Sequence, residues 1–216
     1  MYFNNAEWFL SKIFPGLTWS RETGEKKIYL TFDDGPIPVI TEWVLELLEQ
    51  YKVKATFFVV GDNVRKYPEV IRKVHSAGHK IGNHTFNHLN GWKNKAEYYI
   101  ENTEQCKECL TNTLPDTKAL YSSGGKMLFR PPYGKASRAQ QKNLTAQYEI
   151  IMWNVLTGDF NVNLHEEKCL SKAIKYTGPG TIVIFHDSLK AERNLRYVLP
   201  RYIEHFLKQG YQFDTL

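Results

Sequence analysis

Several features are scarce or missing in this sequence of 216 residues, and each absence excludes a class of protein. Only three cysteines occur, an odd number, so a disulfide framework is not expected. No run of about 18 uncharged apolar residues is present, so a transmembrane helix is not predicted. The net charge is +5, but lysine and arginine never form a basic run, so nucleic acid is not a predicted partner. No G-x-G-x-x-G motif follows the first apolar run, which leaves a dinucleotide-binding fold without support.

The N-terminal segment, residues 1–25, is rich in aromatic and aliphatic side chains. Lys12 interrupts its apolar stretch, Pro15 and Gly16 end it, and no small-residue cleavage site follows, so a cleaved secretory signal is not predicted. Two interpretations remain: a short helix that packs on the domain, and an interfacial helix that makes peripheral contact with a membrane. The missing export signal favours a cytoplasmic location.

The composition that is present is that of a globular protein. Hydrophobic residues make up 42% and aromatic residues 14%, and the length predicts one domain over residues 26–216, at roughly 100–200 residues per domain. Seven apolar runs predict strands over residues 28–32, 55–60, 79–83, 127–130, 149–155, 181–185 and 211–214. Helical patterns separate them over residues 41–51, 68–78, 95–114, 137–147, 165–176 and 192–209. Such alternation predicts an α/β fold with a parallel sheet, either closed as a barrel or open and doubly wound.

Polar side chains suited to catalysis come directly after these apolar runs: Asp33, Asp34, His84, His88, Arg130, Asp159 and His186. The carboxyl ends of the strands of a closed parallel α/β barrel share one face, and that face holds the active site. Their placement therefore favours the barrel. The alternative for Asp33 and Asp34 is that they are solvent-exposed acids in a turn. The alternative for His84 and His88 is that their spacing is incidental and has no function.

A metal site is the more specific hypothesis for the histidines. His84 and His88 are four residues apart and fall on one face if the segment makes a helical turn. With a strand-end carboxylate they make a set of two imidazoles and one carboxylate, which leaves positions open for water and substrate. Adjacent Asp33 and Asp34 cannot point the same way, so one can bind a cation while the other faces the substrate. The C-x-x-C at residues 106–109 lies inside a helical pattern and does not indicate a redox site.

Five segments in order, at residues 31–36, 84–88, 130–134, 153–160 and 182–187, resemble the five motifs of the polysaccharide deacetylases, the NodB-homology carbohydrate esterases of family 4. The resemblance covers residues 26–216. It implies a distorted barrel of alternating strands and helices, with seven strands as predicted above. It also implies metal-dependent removal of N- or O-linked acetyl groups from a carbohydrate such as peptidoglycan, a chitin-type oligosaccharide or xylan.

The same resemblance implies catalytic roles for four residues. Asp33 would be the general base, and Arg130 would pair with it and hold it in place. His186 would be the general acid, and Asp159 would orient it. A general acid is needed because the leaving amine must be protonated, and a histidine close to a carboxylate suits that task.

The resemblance further implies three ligands for one divalent metal ion: Asp34, His84 and His88. Zn²⁺ suits this ligand set best, with Co²⁺ and Ni²⁺ as alternatives. The backbone N–H of Tyr133 would help to bind the oxyanion, and Phe160 and Ile184 would line the pocket for the acetyl methyl group.

The fourth motif departs from the family pattern W-x-V-D-x-x-D-W, because Leu156 replaces its first acid and Phe160 its last tryptophan. Activity is still expected, and these two replacements predict an altered substrate subsite. The alternative is that Leu156 packs under the rim of the barrel and does not contact the substrate. Two other functions stay open. One is a non-sugar amidohydrolase on the same metal site, and the other is a catalytically silent carbohydrate-binding homologue.

Overall fold

The computed structural model describes residue 14 and residues 16–216, and in this part of the chain nine strands form one sheet. The strands are β1 Leu17–Thr18, β2 Lys27–Asp33, β3 Thr56–Val59, β4 Lys80–Asn83, β5 Met127–Phe129, β6 Tyr148–Ile151, β7 Val155–Leu156, β8 Thr181–His186 and β9 Gln212–Asp214. The helices are α1 Ile40–Gln50, α2 Gly61–Lys66, α3 Pro68–Ser76, α4 Ala96–Thr113, α5 Arg138–Leu144, α6 Glu166–Tyr176 and α7 Glu192–Lys208. The predicted N-terminal helix lies mostly at residues 1–13, outside the described residues.

The strand order shows that the sheet is curled. It runs β1–β6–β5–β4–β3–β2–β8–β7, every paired strand is parallel to its neighbour, and β9 pairs with β2. The consecutive strands β6 and β7 lie near opposite edges, although only residues 152–154 separate them. Met152 N–H donates to Thr18 O on one edge at 2.7 Å, and Asn154 N–H donates to Ile182 O on the other at 3.0 Å. The edges therefore approach each other, which confirms the predicted distorted barrel.

The strand count is larger than predicted. Each of the seven predicted runs contains a strand, but residues 149–155 form two, because the chain crosses between the sheet edges at residues 152–154. The two-residue strand β1 was not predicted, since two residues carry no periodic signal. Trp19, directly after β1, is buried. The short helix α2 is a further element that was not predicted.

Successive side chains along each strand point to opposite faces of the sheet, so they fall into an outer and an inner layer. Ile28, Leu30 and Phe32 of β2 lie in the large core between the sheet and the helices. Thr31 and Asp33 therefore project to the opposite face, the interior of the curled sheet. A second small cluster around Phe58 fills that interior. Asp33 thus lies inside the barrel, at the carboxyl end of its strand.

The helices cover the outer face of the sheet. Helix α4 carries both cysteines of the C-x-x-C: the Cys106 thiol is buried and donates to Val59 O, and the Cys109 thiol donates to Gly61 O. Both thiols are free, as expected for packing cysteines within a helix. Among the described residues, no helix has the length and apolar character needed to cross a bilayer.

Candidate active site

A cavity of about 730 Å³ opens where the strands end. It is lined by nine of the residues singled out from the sequence: Asp33, Asp34, His84, His88, Tyr133, Leu156, Phe160, Ile184 and His186. Arg130 and Asp159 are fully buried and contact lining residues from beneath. The structure therefore brings the predicted site residues together at one end of the barrel.

Asp33 and Arg130 form a buried ion pair. An Arg130 guanidinium nitrogen (Nη1) donates to Asp33 Oδ1 at 2.7 Å and to Thr31 Oγ1 at 2.7 Å. Other guanidinium N–H groups donate to the carbonyls of residues 151 and 152. The guanidinium also lies 4.1 Å from the centre of the Phe58 ring. Arg130 is therefore held rigidly, and it leaves the second oxygen of Asp33 free.

Asp34, His84 and His88 place three ligand atoms around one point. His88 Nε2 lies 3.1 Å and His84 Nε2 3.8 Å from Asp34 Oδ1, and all three atoms lie within 4.8 Å of one another. Two ligands bound tetrahedrally to one Zn²⁺ at about 2.0–2.2 Å lie roughly 3.4 Å apart. The spacing and the chemistry of the donors therefore fit a single divalent metal ion.

The protonation of these residues also suits a metal. His84 Nδ1 lies 2.7 Å from Arg130 O, and since a carbonyl only accepts, Nδ1 must carry the proton. The lone pair of His84 is then on Nε2, which faces Asp34. Burial lowers the pKa of His84 to about 4, so this imidazole is neutral at pH 7. Burial alone would raise the pKa of Asp34, but the His88 hydrogen bond and the nearby histidine charges hold it below its usual range.

The backbone around these ligands adopts rare conformations. Asp34, Thr85 and His88 have positive φ angles of 82°, 62° and 54°. Non-glycine residues at positive φ persist only where their surroundings hold them. The Asn63 amide donates to Asp34 O at 2.8 Å, and Asn83 Oδ1 accepts from Thr85 N–H at 2.8 Å. Polar side chains beside the ligands thus stabilise the backbone that aims them.

On the other side of Asp34, Asp159 contacts His186 twice. Asp159 Oδ1 lies 2.7 Å from His186 Nδ1, and its Oδ2 accepts from His186 N–H at 2.7 Å. Asp159 Oδ1 also accepts from Phe160 N–H at 2.9 Å. Burial would lower the pKa of His186, but the charge and hydrogen bond of Asp159 outweigh burial and raise it to about 9. His186 is therefore protonated at pH 7, with its Nε2 atom free.

Aromatic and aliphatic side chains form the cavity walls. Tyr133 has a positive φ of 61°, and the centre of its ring lies 4.6 Å from that of His88. The Phe160 ring lies 4.9 Å from that of His186 in an edge-on arrangement. Leu156 and Ile184 line the cavity as well. The walls are therefore apolar close to both histidines.

Sequence reasoning did not assign Asp187, which is buried beneath the site. Its Oδ1 accepts from Gly35 N–H at 3.1 Å, and its Oδ2 accepts from the Thr41 hydroxyl at 2.6 Å. Burial raises the pKa of Asp187 to about 8. The contacts tie the turn after Asp34 to β8. The sequence signal that could have indicated a role for Asp187 is its position directly after His186 at the end of a strand. No sequence signal indicated that Asn63 would contact the backbone of Asp34.

The comparisons with known proteins agree with this geometry. A family model described as "Polysaccharide deacetylase" matches residues 20–150. A peptidoglycan-N-acetylglucosamine deacetylase of Bacillus cereus is 35% identical over 93% of this chain and 91% of its own. This chain belongs to the polysaccharide deacetylases, a family of metal-dependent hydrolases that act on the acetyl groups of carbohydrates.

Two further similarities support the assignment. A peptidoglycan-N-acetylmuramic acid deacetylase of Bacillus subtilis is 30% identical over 90% of this chain and 71% of its own. The solved structure of the Bc1960 peptidoglycan N-acetylglucosamine deacetylase has a TM-score of 0.86 and 28% identity, covering 95% of this chain and 94% of that one. The predicted class of enzyme and its fold are thereby confirmed.

Proposed function

We propose that this protein hydrolyses the N-acetyl groups of a glycan chain built from N-acetylated amino sugars, such as peptidoglycan or a chitin-type oligosaccharide. The observation that carries the proposal is the arrangement of the cavity: Asp33 and His186 line it together with the three-ligand cluster of Asp34, His84 and His88. The relatives described above act on peptidoglycan amino sugars, which favours an N-acetyl over an O-acetyl substrate.

We assign the metal ligands to Asp34, His84 and His88, and the metal to zinc. Two imidazoles and one carboxylate with open positions are typical of a catalytic zinc site. When bound, the ion would polarise the amide carbonyl and make water easier to deprotonate. The neutral His84 with its lone pair on Nε2 is prepared for such an ion.

Asp33 acts as the general base in this proposal. Its Oδ1 is held by Arg130, so Oδ2, which lies 4.0 Å from His84 Nε2, is the oxygen that takes a proton from the attacking water. The Arg130 charge keeps Asp33 oriented and compensates its negative charge in a buried setting. The water oxygen forms a bond to the carbonyl carbon as its proton passes to Asp33 Oδ2.

His186 acts as the general acid. Asp159 accepts a hydrogen bond from Nδ1–H, which leaves Nε2–H for the cavity. When the carbon–nitrogen bond breaks, the amine nitrogen keeps the electron pair and takes this proton, so acetate and the free amino sugar leave. The raised pKa of His186 keeps it protonated at neutral pH until that step.

The acetyl group is placed by the apolar wall. Leu156, Phe160 and Ile184 line the cavity and suit the methyl group. The backbone N–H of Tyr133 assists the oxyanion, and removing one such donor typically costs about 2.7–4 kcal/mol of transition-state stabilisation. Leu156 replaces an acid of the family pattern and Phe160 a tryptophan with its indole N–H, so this wall is more apolar than the family pattern.

The test is to measure acetate and free amine after incubation of zinc-loaded protein with peptidoglycan, N-acetylglucosamine oligomers and acetylated xylan. We expect acetate and amine in equal amounts from the amino-sugar substrates, and no release by the His84→Ala variant. Acetate without amine, from xylan, would reassign the enzyme to O-acetyl groups. Release only from small non-sugar amides, or binding without release, would contradict the proposal.

A further inference from the structure

Two lysines at the cavity mouth have no role in the chemistry above. Lys135 and Lys190 both line the cavity. Among the described residues, neither ammonium group has a carboxylate partner within salt-bridge distance. The lining carboxylates are already engaged, because Asp33 pairs with Arg130 and Asp34 lies among the histidines. The two lysines therefore leave positive charge at the entrance that no protein group in this part of the chain neutralises.

The lysines flank the site. Lys135 follows β5, two residues after Tyr133, whose ring contacts His88 on the side of the metal ligands. Lys190 follows β8, and its ammonium lies 5.8 Å from the centre of the Phe160 ring, which contacts His186 on the side of the acid. A sugar held between metal ligands and acid would therefore have one lysine on each side.

Lys135 is also paired with an exposed aromatic ring. Its ammonium lies 5.0 Å from the centre of the Trp92 ring, and this ring is 68% exposed. The segment is anchored, since Gly91 N–H donates to Lys135 O at 3.0 Å and the Gln140 amide donates to Gly91 O at 2.9 Å. An exposed indole with an ammonium group over its ring suits a sugar that carries an anionic substituent, because the exposed ring surface can pack on C–H groups and the ammonium can pair with the anion.

Resting on the proposed deacetylase function, we propose that Lys135 and Lys190 make this site selective for glycans that carry carboxylates on the acetylated sugar or on the sugar next to it. Positive charge at the entrance speeds the association of an anionic glycan, and a neutral glycan does not gain this attraction. Of the relatives described above, one acts on N-acetylmuramic acid, a sugar with such a carboxylate.

The test compares two substrates that differ only at their carboxylates. One is a tetrasaccharide of alternating N-acetylglucosamine and N-acetylmuramic acid, and the other is the same tetrasaccharide with its carboxylates converted to methylamides. The measured quantity is the ratio of the two kcat/KM values. In the double variant Lys135→Met with Lys190→Met the ratio should fall about tenfold, since each partly exposed pair contributes a modest amount. The wild-type ratio should also fall as salt rises.

Lys175→Met is the matched control. Its ammonium lies 5.4 Å from the Tyr176 ring, so it too is a lysine beside an aromatic ring, but it does not line the cavity. The control should leave the ratio unchanged. A double variant whose ratio stays within about twofold of the wild type, or whose activity falls equally on both substrates, would overturn the selectivity. If the wild type released no acetate from either tetrasaccharide, the deacetylase function itself would fail.

Discussion

At the scale of single residues, the buried ion pair with Arg130 fixes the position of Asp33 in the site. Changing Asp33 to Asn keeps the shape and removes the ability to accept a proton. General-base catalysis contributes roughly 10²–10⁴-fold, so we expect kcat to fall by about that factor. Acetate release under saturating substrate measures the effect.

The metal content of the Asp33→Asn protein should stay at the wild-type level, because in the proposed site Asp34 and not Asp33 is the carboxylate ligand. Asp214→Asn is a suitable control, since Asp214 pairs with Lys27 at the opposite end of β2 at 3.4 Å and should leave kcat unchanged. Near-normal turnover in Asp33→Asn would reassign the base.

His186 provides a prediction about pH. An acid must be protonated to act, so activity is lost as pH rises through its pKa, which Asp159 raises against the effect of burial. Asp159→Asn removes the negative charge and should move the alkaline limb of the kcat/KM profile to lower pH. Asp116→Asn is the control, because Asp116 faces His75 at 3.4 Å away from the cavity. An alkaline limb that does not move in Asp159→Asn would exclude His186 as the titrating acid.

The polar site residues singled out from the sequence could be predicted because they follow apolar runs and fall within five ordered motifs. Asp187 and Asn63 could not be assigned in the same way. Their roles depend on contacts with Gly35 and Asp34, and these contacts exist only once β2, β8 and α2 are packed together. The unpaired charge of Lys135 is likewise visible only when its neighbours in space are known.

At the scale of secondary-structure elements, Asp187 connects three of them. It follows β8, accepts from Gly35 in the turn after β2, and accepts from Thr41 in the first turn of α1. Asp187→Ala leaves two buried donors without a partner, at about 1–3 kcal/mol each. We expect the free energy of unfolding, measured in urea, to fall by about 2–4 kcal/mol, together with the affinity for zinc.

Asp187→Asn is the matched variant. Its carbonyl can still accept from Gly35 N–H, and its amide can donate to the Thr41 hydroxyl oxygen, so the loss should be smaller. Equal stability of the wild type, Asp187→Ala and Asp187→Asn would show that these hydrogen bonds do not hold the turn.

The elements themselves were predictable to different degrees. Long amphipathic helices such as α7 have a clear periodic pattern, and the buried strand β8 is a continuous apolar run rich in β-branched residues. The division of residues 149–155 into β6 and β7 was not predictable, because both halves are apolar and the break depends on the distance between the sheet edges. The strand β1 pairs with β6, but its two residues carry no periodic signal of their own.

At the scale of the whole molecule, alternation of strands and helices predicted a parallel sheet, and the polar residues at the strand ends together with the family resemblance predicted that it closes as a distorted barrel. The curled parallel sheet brings the carboxyl ends of β4, β2 and β8 to one rim, so the proposed metal ligands follow β2 and β4 and the proposed acid ends β8. A ligand that binds only the folded chain stabilises it in proportion to the logarithm of its concentration.

Zinc should therefore raise the melting temperature. At a free concentration about 100-fold above the dissociation constant it adds roughly 2.7 kcal/mol. For a chain of this size that corresponds to about 5–10 °C. Differential scanning fluorimetry measures the shift. Magnesium, which prefers oxygen ligands, should produce no shift, and neither should zinc with His84→Ala. A zinc shift of equal size in His84→Ala would place the ion elsewhere.

The central claim is that one metal ion, held by Asp34, His84 and His88, makes this chain a glycan deacetylase. The most direct measurement adds zinc stepwise to metal-free protein and records acetate release from an N-acetylated oligosaccharide at each step. The account predicts no activity without metal, a linear rise, and a maximum at one equivalent of zinc per chain. Full activity in the metal-free protein, or no acetate at one equivalent of zinc, would contradict it.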